Sequence, residues 1–400
     1  MRKPLPKRSV QRGGRYIYLA GPWSPICGGI FKVVDYLVQA QAPWVGRGSA
    51  QLRPLDTRSG GRAVFSIWFL FTAVVKIFAG RVQGGLAGVH VNIAERLSLV
   101  RKGVIVVVCR LLGVPVVLHL HAQMRDFYLR LPRPLQRLTR WVFSLALGVV
   151  VIGPAAQRFV TEQLRVPRER VDLVFNGVPE PQDACSKPVI AGVQQLLFLG
   201  RLCDLKGVSD LLQALARPGF DRSRVRLTIA GGGDTAGYRA KAQSLGIADM
   251  VRFEGLCDQP RVAQLLSQAD VLVLPSYDEV LPLSILEALA NRVAVVCTPV
   301  GEIPSVLCDG VNAVFVTPGD VDDLAQGLQQ LLEQHSVRET LARNGRALYE
   351  RQFSMPRFFA AIARIHQRHF GFAAKPLRTA AANADEFATA RQRTDEVGYP

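Results

Sequence analysis

Two glutamates stand eight positions apart in the stretch PSYDEVLPLSILEALA, residues 275–290. Glu279 follows DVLVLPS, an apolar run with the look of a strand, and Glu287 lies in a run with the look of a helix. Carboxylates at such a junction can cap the helix or accept hydrogen bonds from a ligand rich in hydroxyls. Ser284 and Glu287 match the capping box S-x-x-E, in which each side chain satisfies a free backbone N–H of the other. A helix start near Ser284 is therefore expected, and it leaves Glu279 without a structural task. The N-terminus of a helix favours phosphate. Two carboxylates flanking a phosphate match the layout of a nucleotide sugar: ribose diol, diphosphate, sugar hydroxyls.

Further candidates sit where other apolar runs end. GRLCDLKG places Arg201 and Lys206 after a strand, and two fixed cations there suit a phosphate or diphosphate. AGPWSPICGGIFK puts Gly28 and Gly29 between the first strand and its helix, where glycine lets backbone N–H groups approach an anion. IAGGGD, residues 229–234, repeats that arrangement. Neither stretch is a GxGxxG fingerprint, and there is no P-loop, which argues against a nicotinamide dehydrogenase. HLHAQMRDFY carries His119 and His121, which on a strand point the same way and could face one ligand. No third residue at a telling spacing completes a metal site, so no metal is expected. The rival for these histidines is a satisfied place in the core.

The elements that must hold these residues read as two series of β-α units. Strands are expected at 15–21, 89–93, 114–121, 147–153 and 170–177, then at 195–202, 225–233, 250–255, 269–276, 293–299 and 312–318. Their unbroken Val, Leu and Ile runs fit parallel strands covered on both faces. Helical patterns such as GVSDLLQALAR and DVDDLAQGLQQLLEQH lie between them. The expectation is an α/β chain of two Rossmann-like domains, 1–180 and 181–350, with a boundary near 177–192. A last helix over 351–370 and a loose tail over 371–400 follow.

Length and charge narrow the functions. Four hundred residues exceed one compact core. Seven scattered cysteines without a CxxC pair suit free thiols in a reducing compartment. The apolar segment 63–80 is uncharged only as far as Val75, short of the roughly 20 residues a spanning helix needs, so a buried or interfacial helix is expected. Residues 1–182 carry 26 Lys and Arg against 8 Asp and Glu, and residues 183–400 carry 23 against 24. The excess of +17 thus lies in the first half and suggests an anionic membrane surface. Nucleic acid is not expected, since no aromatic-interleaved basic cluster accompanies the charge.

Taken together, GRLCDLKG, IAGGGD, VRFEG and DEVLPLSILEALANRVAVVCTPVGEIPSVL resemble the GT-B glycosyltransferases, and within them retaining family 4 (glycosyl transferases group 1) of the kind that builds bacterial polysaccharides. Glu279 and Glu287 stand at the positions of the family's E-x7-E signature. Val280 stands where glycine often follows the first glutamate. The likeness is strong over 193–350 and weaker over 15–180, through CGG, VNIAERLSLVRKG, VVLHLH and NGV. It implies two Rossmann-like domains with parallel sheets facing across a cleft. It implies transfer of a sugar, with retention, from a nucleotide diphosphate sugar to a saccharide acceptor, lipid-linked, in cell-surface polysaccharide synthesis. Arg201 and Lys206 would grip the diphosphate, Glu287 the ribose and Glu279 the transferred sugar. His121 would face sugar or acceptor, and Gly28 and Gly29 would close over the phosphates. Gly232, Leu281 and Pro282 would complete the donor pocket, with no cofactor or metal. The expected place is the cytoplasm, peripheral on the inner face of the membrane. A GT-B epimerase and a non-catalytic nucleotide-sugar-binding protein are the alternatives.

Overall fold

Apolar side chains at every position of a strand need cover on both faces, and two six-stranded parallel sheets provide it. The computed structural model describes residues 14–24, 28–42, 49–58, 65–181 and 193–377. The chain divides into two compact units. One holds the described residues up to His119, Pro132–Val150 and those from Phe359; the other holds Leu120–Leu131 and Val151–Phe358.

The first sheet is built from β1 (Arg15–Gly21), β2 (Ala50–Asp56), β3 (Leu86–Ile93), β4 (Val116–Leu120), β5 (Gly148–Val151) and β6 (Val171–Leu173), in the order β2-β1-β3-β4-β5-β6. Its connecting helices are α1 (Gly29–Ala40), α2 (Phe65–Val82), α3 (Leu97–Leu111), α4 (Met124–Leu129), α5 (Arg133–Ser144) and the short α6 (Pro154–Arg158). All eight residues of β3 and all five of β4 are buried. Strand β2 lies outside the sequence expectation. Its sequence AQLRPLD contains Pro54, which cannot donate to a ladder, and an edge strand is where a sheet tolerates that.

The second sheet comprises β7 (Gln194–Leu199), β8 (Val225–Ala230), β9 (Val251–Gly255), β10 (Val271–Leu274), β11 (Ala294–Cys297) and β12 (Val314–Phe315), in the order β12-β11-β10-β7-β8-β9. With them run α7 (Val208–Leu215), α8 (Thr235–Ser244), α9 (Gln259–Gln268), α10 (Leu283–Ala290), α11 (Val321–Glu333) and α12 (His335–Leu348); α13 (Met355–Phe370) follows and from Phe359 belongs to the first unit. Asp234, Asp258 and Asp320 cap α8, α9 and α11 by accepting backbone N–H bonds. The chain reverses direction in the sheet between β10 and β7, and between β1 and β3 in the first sheet. Such reversals leave crevices beyond the strand ends.

One expectation narrows to the second of its two readings, and another changes. Segment 63–80 is helical from Phe65, with Ser66, Ala73 and Ile77 buried but Trp68, Phe71 and Phe78 more than half exposed, so it is not a buried helix. Residues 371–377 of the expected loose tail are tied down: Ala42 N donates to Lys375 O, Ala50 N to Ala373 O and Leu377 N to Ala40 O. Residues 378–400, and 182–192 of the expected boundary, lie outside the described residues, as do Cys27 and Cys185. The other five cysteines are free thiols.

The first unit also holds a polar feature in its core. His90 of β3, His119 of β4 and His366 of α13 are fully buried. His90 Nε2 lies 3.2 Å from His119 Nδ1, and His90 Nδ1 lies 2.9 Å from His366 Nε2. A neutral imidazole has one donor and one acceptor nitrogen, so the three rings form a consistent chain in either proton order. His119 is thus a core residue in this chain of rings, not a partner of His121 toward a common ligand. Burial pushes the His90 pKa down from 6.5 to about 4, and burial with neighbouring His90 and His369 pushes His366 well below the usual range. The folded state therefore refuses protons that the unfolded chain accepts. This contribution to stability is complete above pH 6.5 and is lost as pH falls toward 4. For His90 alone the loss is on the order of 3 kcal/mol. Melting temperature against pH should drop steeply over that window. His366→Leu should flatten the slope even if it lowers stability at neutral pH; an unchanged slope would assign the acid sensitivity to other groups.

Candidate active site

The crevice beyond β7 and β10 collects the candidate residues of the second unit. β7 ends at Leu199, and Arg201 stands exposed just past it. A single 3-10 turn, Asp204–Lys206, follows and delivers Lys206. Gly207 then starts α7 with φ 68°, and a Cβ there would meet Pro275 O at 2.0 Å. Only glycine allows that approach, and it is what sets Lys206 against the loop leaving β10. Tyr277 N donates to Leu205 O at 2.9 Å, joining the same two loops.

The result is an ion pair. Lys206 Nζ lies 2.6 Å from Glu279 Oε1, with side chains 23% and 12% exposed. Ser276 Oγ donates to the same carboxylate oxygen at 3.1 Å, and Lys206 Nζ reaches Asp278 O at 3.3 Å. Burial raises the Glu279 pKa, while Lys206 and Ser276 pull it back by favouring the ionised form. The backbone around Glu279 is fixed in turn. Thr298 Oγ1 donates to the buried Ser276 at its carbonyl, Glu302 N donates to Val280 O, and the Gln123 amide donates to Glu279 O. Glu302 is itself buried, accepting from the N–H groups of Ala155 and Ala156 at 3.2 and 2.8 Å. Sequence reasoning missed Ser276, Gln123 and Glu302. Ser276 sits in the quoted loop, but nothing in residue type marks a distant glutamine or glutamate as a brace.

The expected capping box is absent. α10 starts at Leu283, one residue before Ser284, because Pro282 occupies the N-cap with φ −66° and no side-chain cap bond forms. Proline's fixed φ suits the helix entry, so the stop lies in the backbone and not in a serine hydroxyl. Glu287 then falls in the second turn and is buried at 7% exposure. Leu281 is buried and Pro282 half-buried beside it. Gly232 O accepts from Leu202 N, so Gly232 lies next to Arg201. Its neighbours Gly231 and Gly233 are explained by packing: a Cβ on either would collide with Gly200 O or Leu202 O. His121 follows β4, half-buried, two residues before Gln123. Gly28 and Gly29 belong to the first unit, where Gly28 opens α1 with φ 75° and open space at its missing Cβ. Arg201, Lys206 and Glu279 are thus placed around one strand reversal, the position where open α/β sheets hold ligands.

The family model for glycosyl transferases group 1 matches residues 185–348, and that for glycosyltransferase family 4 matches residues 94–180. A D-inositol 3-phosphate glycosyltransferase of Thermobifida fusca is 35% identical over 161 residues, covering 38% of this chain and 37% of that one. A glycogen synthase of Mycobacterium tuberculosis is 27% identical over 242 residues, covering 59% and 58%. The chain thus spans from about a third to three fifths of the length of these relatives. Among solved structures, a sucrose-phosphate synthase from Thermosynechococcus elongatus aligns with TM-score 0.70 at 19% identity over 89% of this chain and 99% of its own. Anabaena HepE in complex with UDP aligns with TM-score 0.69 at 18% identity over 88% and 100%. The chain thus carries a glycosyltransferase family 4 segment followed by a glycosyl transferases group 1 segment, on two parallel-sheet units that share the GT-B fold of these solved structures.

Proposed function

We propose that the chain transfers a sugar, with retention of configuration, from a nucleotide diphosphate sugar to a saccharide acceptor. The observation that carries this reading is the Lys206–Glu279 pair at the β7–β10 reversal, with Arg201 exposed beside it. An ammonium has three donors, so Lys206 can keep Glu279 and still bind a phosphate oxygen. Arg201 supplies a second, planar cation for the diphosphate. Negative charge builds on the departing nucleotide diphosphate as its bond to the anomeric carbon breaks. Cations already fixed at that position stabilise the transition state more than the bound donor. Glu279, paired with Lys206 and Ser276, accepts from hydroxyls of the transferred sugar and orients its anomeric carbon. Glu287 accepts from the ribose. The solved HepE complexes contain UDP and UDP-glucose, which makes a uridine diphosphate sugar the first donor to test. The acceptor we propose is a lipid-linked saccharide of cell-surface polysaccharide synthesis, in keeping with the basic first half of the chain.

Lys206→Ala and Glu279→Ala should fold and lose about 10²-fold or more in kcat, the usual cost of removing one preorganised charge contact. Release of nucleotide diphosphate with a panel of donors measures it. Near-normal rates in both variants would sink the assignment. Turnover that needs no acceptor would move it to an epimerase.

Glu287→Gln tests a binding role. Losing a charged hydrogen-bond partner to a ribose diol should raise donor KM roughly tenfold with kcat little changed. A matching fall in kcat at constant KM would place Glu287 at the reacting centre instead. Earlier melting with normal KM would make it a structural residue alone.

A further inference from the structure

Three helices of the first unit form one layer with an unusual outer surface. A right-handed crossover places α2, α3 and α5, which link β2 to β3, β3 to β4 and β4 to β5, on the same face of the sheet. α2 packs on α3 and α3 packs on α5, so the layer is continuous. Each helix buries one side and leaves apolar side chains on another. On α2 the exposed residues Ile67, Phe71, Val75, Phe78 and Val82 recur at spacings of four, four, three and four, opposite buried Ala73 and Ile77. On α3 exposed Leu97, Val100, Val104 and Leu111 form a second stripe, opposite buried Ile105 and Cys109. α5 adds Leu138 and Trp141. Apolar patches of this extent on a soluble chain mark an interaction site.

The charge around the stripes identifies the partner. None of the three helices contains an aspartate or glutamate. Lys76 and Arg81 on α2, Arg110 on α3, and Arg133 and Arg137 on α5 are all exposed. No helix among the described residues is long and apolar enough to cross a membrane. Apolar ridges bearing tryptophan, edged only by cations and unable to span, match a helix layer lying in the headgroup region. We propose that the α2–α3–α5 face inserts its apolar ridges shallowly into an anionic lipid bilayer. The proposal deepens the lipid-linked acceptor reading and is separable from it, because vesicle binding is measured without donor or acceptor. It also differs from docking by charge alone: arginines supply the attraction to anionic headgroups, and the apolar stripes hold after contact.

The test is flotation of the full chain with phosphatidylcholine vesicles, with and without phosphatidylglycerol, at low and high salt. Expected is flotation with the anionic vesicles that salt reduces but does not abolish, and a blue shift of tryptophan emission that Trp68→Phe with Trp141→Phe removes. Phe71→Ser with Phe78→Ser, both on the exposed face, should cut partitioning at least about tenfold. Arg133→Gln with Arg137→Gln should cut it by about fivefold per charge on anionic vesicles and leave neutral ones unaffected. Circular dichroism and transfer to a short water-soluble acceptor check that these variants remain folded and active. Wild-type partitioning by the phenylalanine pair would overturn the proposal. So would recovery with no vesicle at any salt, or a concentration-dependent dimer that the same pair dissociates, which would make the face an interface between copies.

Discussion

The Lys206–Glu279 ion pair is the constraint around which the second unit is organised. A half-buried charge pair is a poor source of stability, because desolvation of both groups offsets most of their attraction. Breaking it from one side strands a charge in a low-dielectric place. The chain nonetheless commits several features to holding it. Gly207 admits the Pro275 carbonyl, Tyr277 N ties the two loops, Ser276 donates to the carboxylate, and Thr298 fixes Ser276 from the neighbouring strand end. These contacts fix the separation of an ammonium and a carboxylate. Such rigidity is useful where charge must be met without reorganisation, which is the requirement of a departing diphosphate.

The same loop system explains why Glu302 is buried although it touches neither candidate cation. Its backbone N–H holds Val280, while its carboxylate accepts from the first N–H groups of α6. One residue thus links the Glu279 loop to a helix that follows β5. The two units place their polar groups differently. In the second, charged side chains gather beyond the ends of β7 and β10, leaving these two strands themselves uncharged. In the first, three imidazoles occupy the middle of the packing between sheet and α13, where Phe370 sits over Gly88 in the space a Cβ would fill. Burial favours the neutral form of these rings. This ties the seating of α13 to proton concentration, whereas the Lys206–Glu279 pair depends on both groups being charged.

What could be read from the sequence follows from which interactions are local. Parallel strands buried on both faces announce themselves as apolar runs, so β1 and β3 to β12 were legible to within a few residues. β2 was not, because an edge strand with one covered face and a proline lacks that signal. Arg201, Lys206 and Glu279 were legible because strand ends are where such a sheet holds ligands, and each lies within seven residues of an apolar run. The capping box failed for a reason equally local. S-x-x-E is a pattern of side chains, but the helix start was decided by the backbone of Pro282, which precedes it. His119 failed for the opposite reason. Strand alternation pairs it with His121, but β4 ends at Leu120 and alternation does not say what packs against His119. Its neighbour there is His90 of β3, which in turn meets His366, 276 positions beyond His90, and only the return of α13 to the first sheet brings that ring in. Long-range closure of that kind leaves no trace in spacing, so a residue whose partner is supplied by topology looks, in the sequence, like one that awaits a ligand.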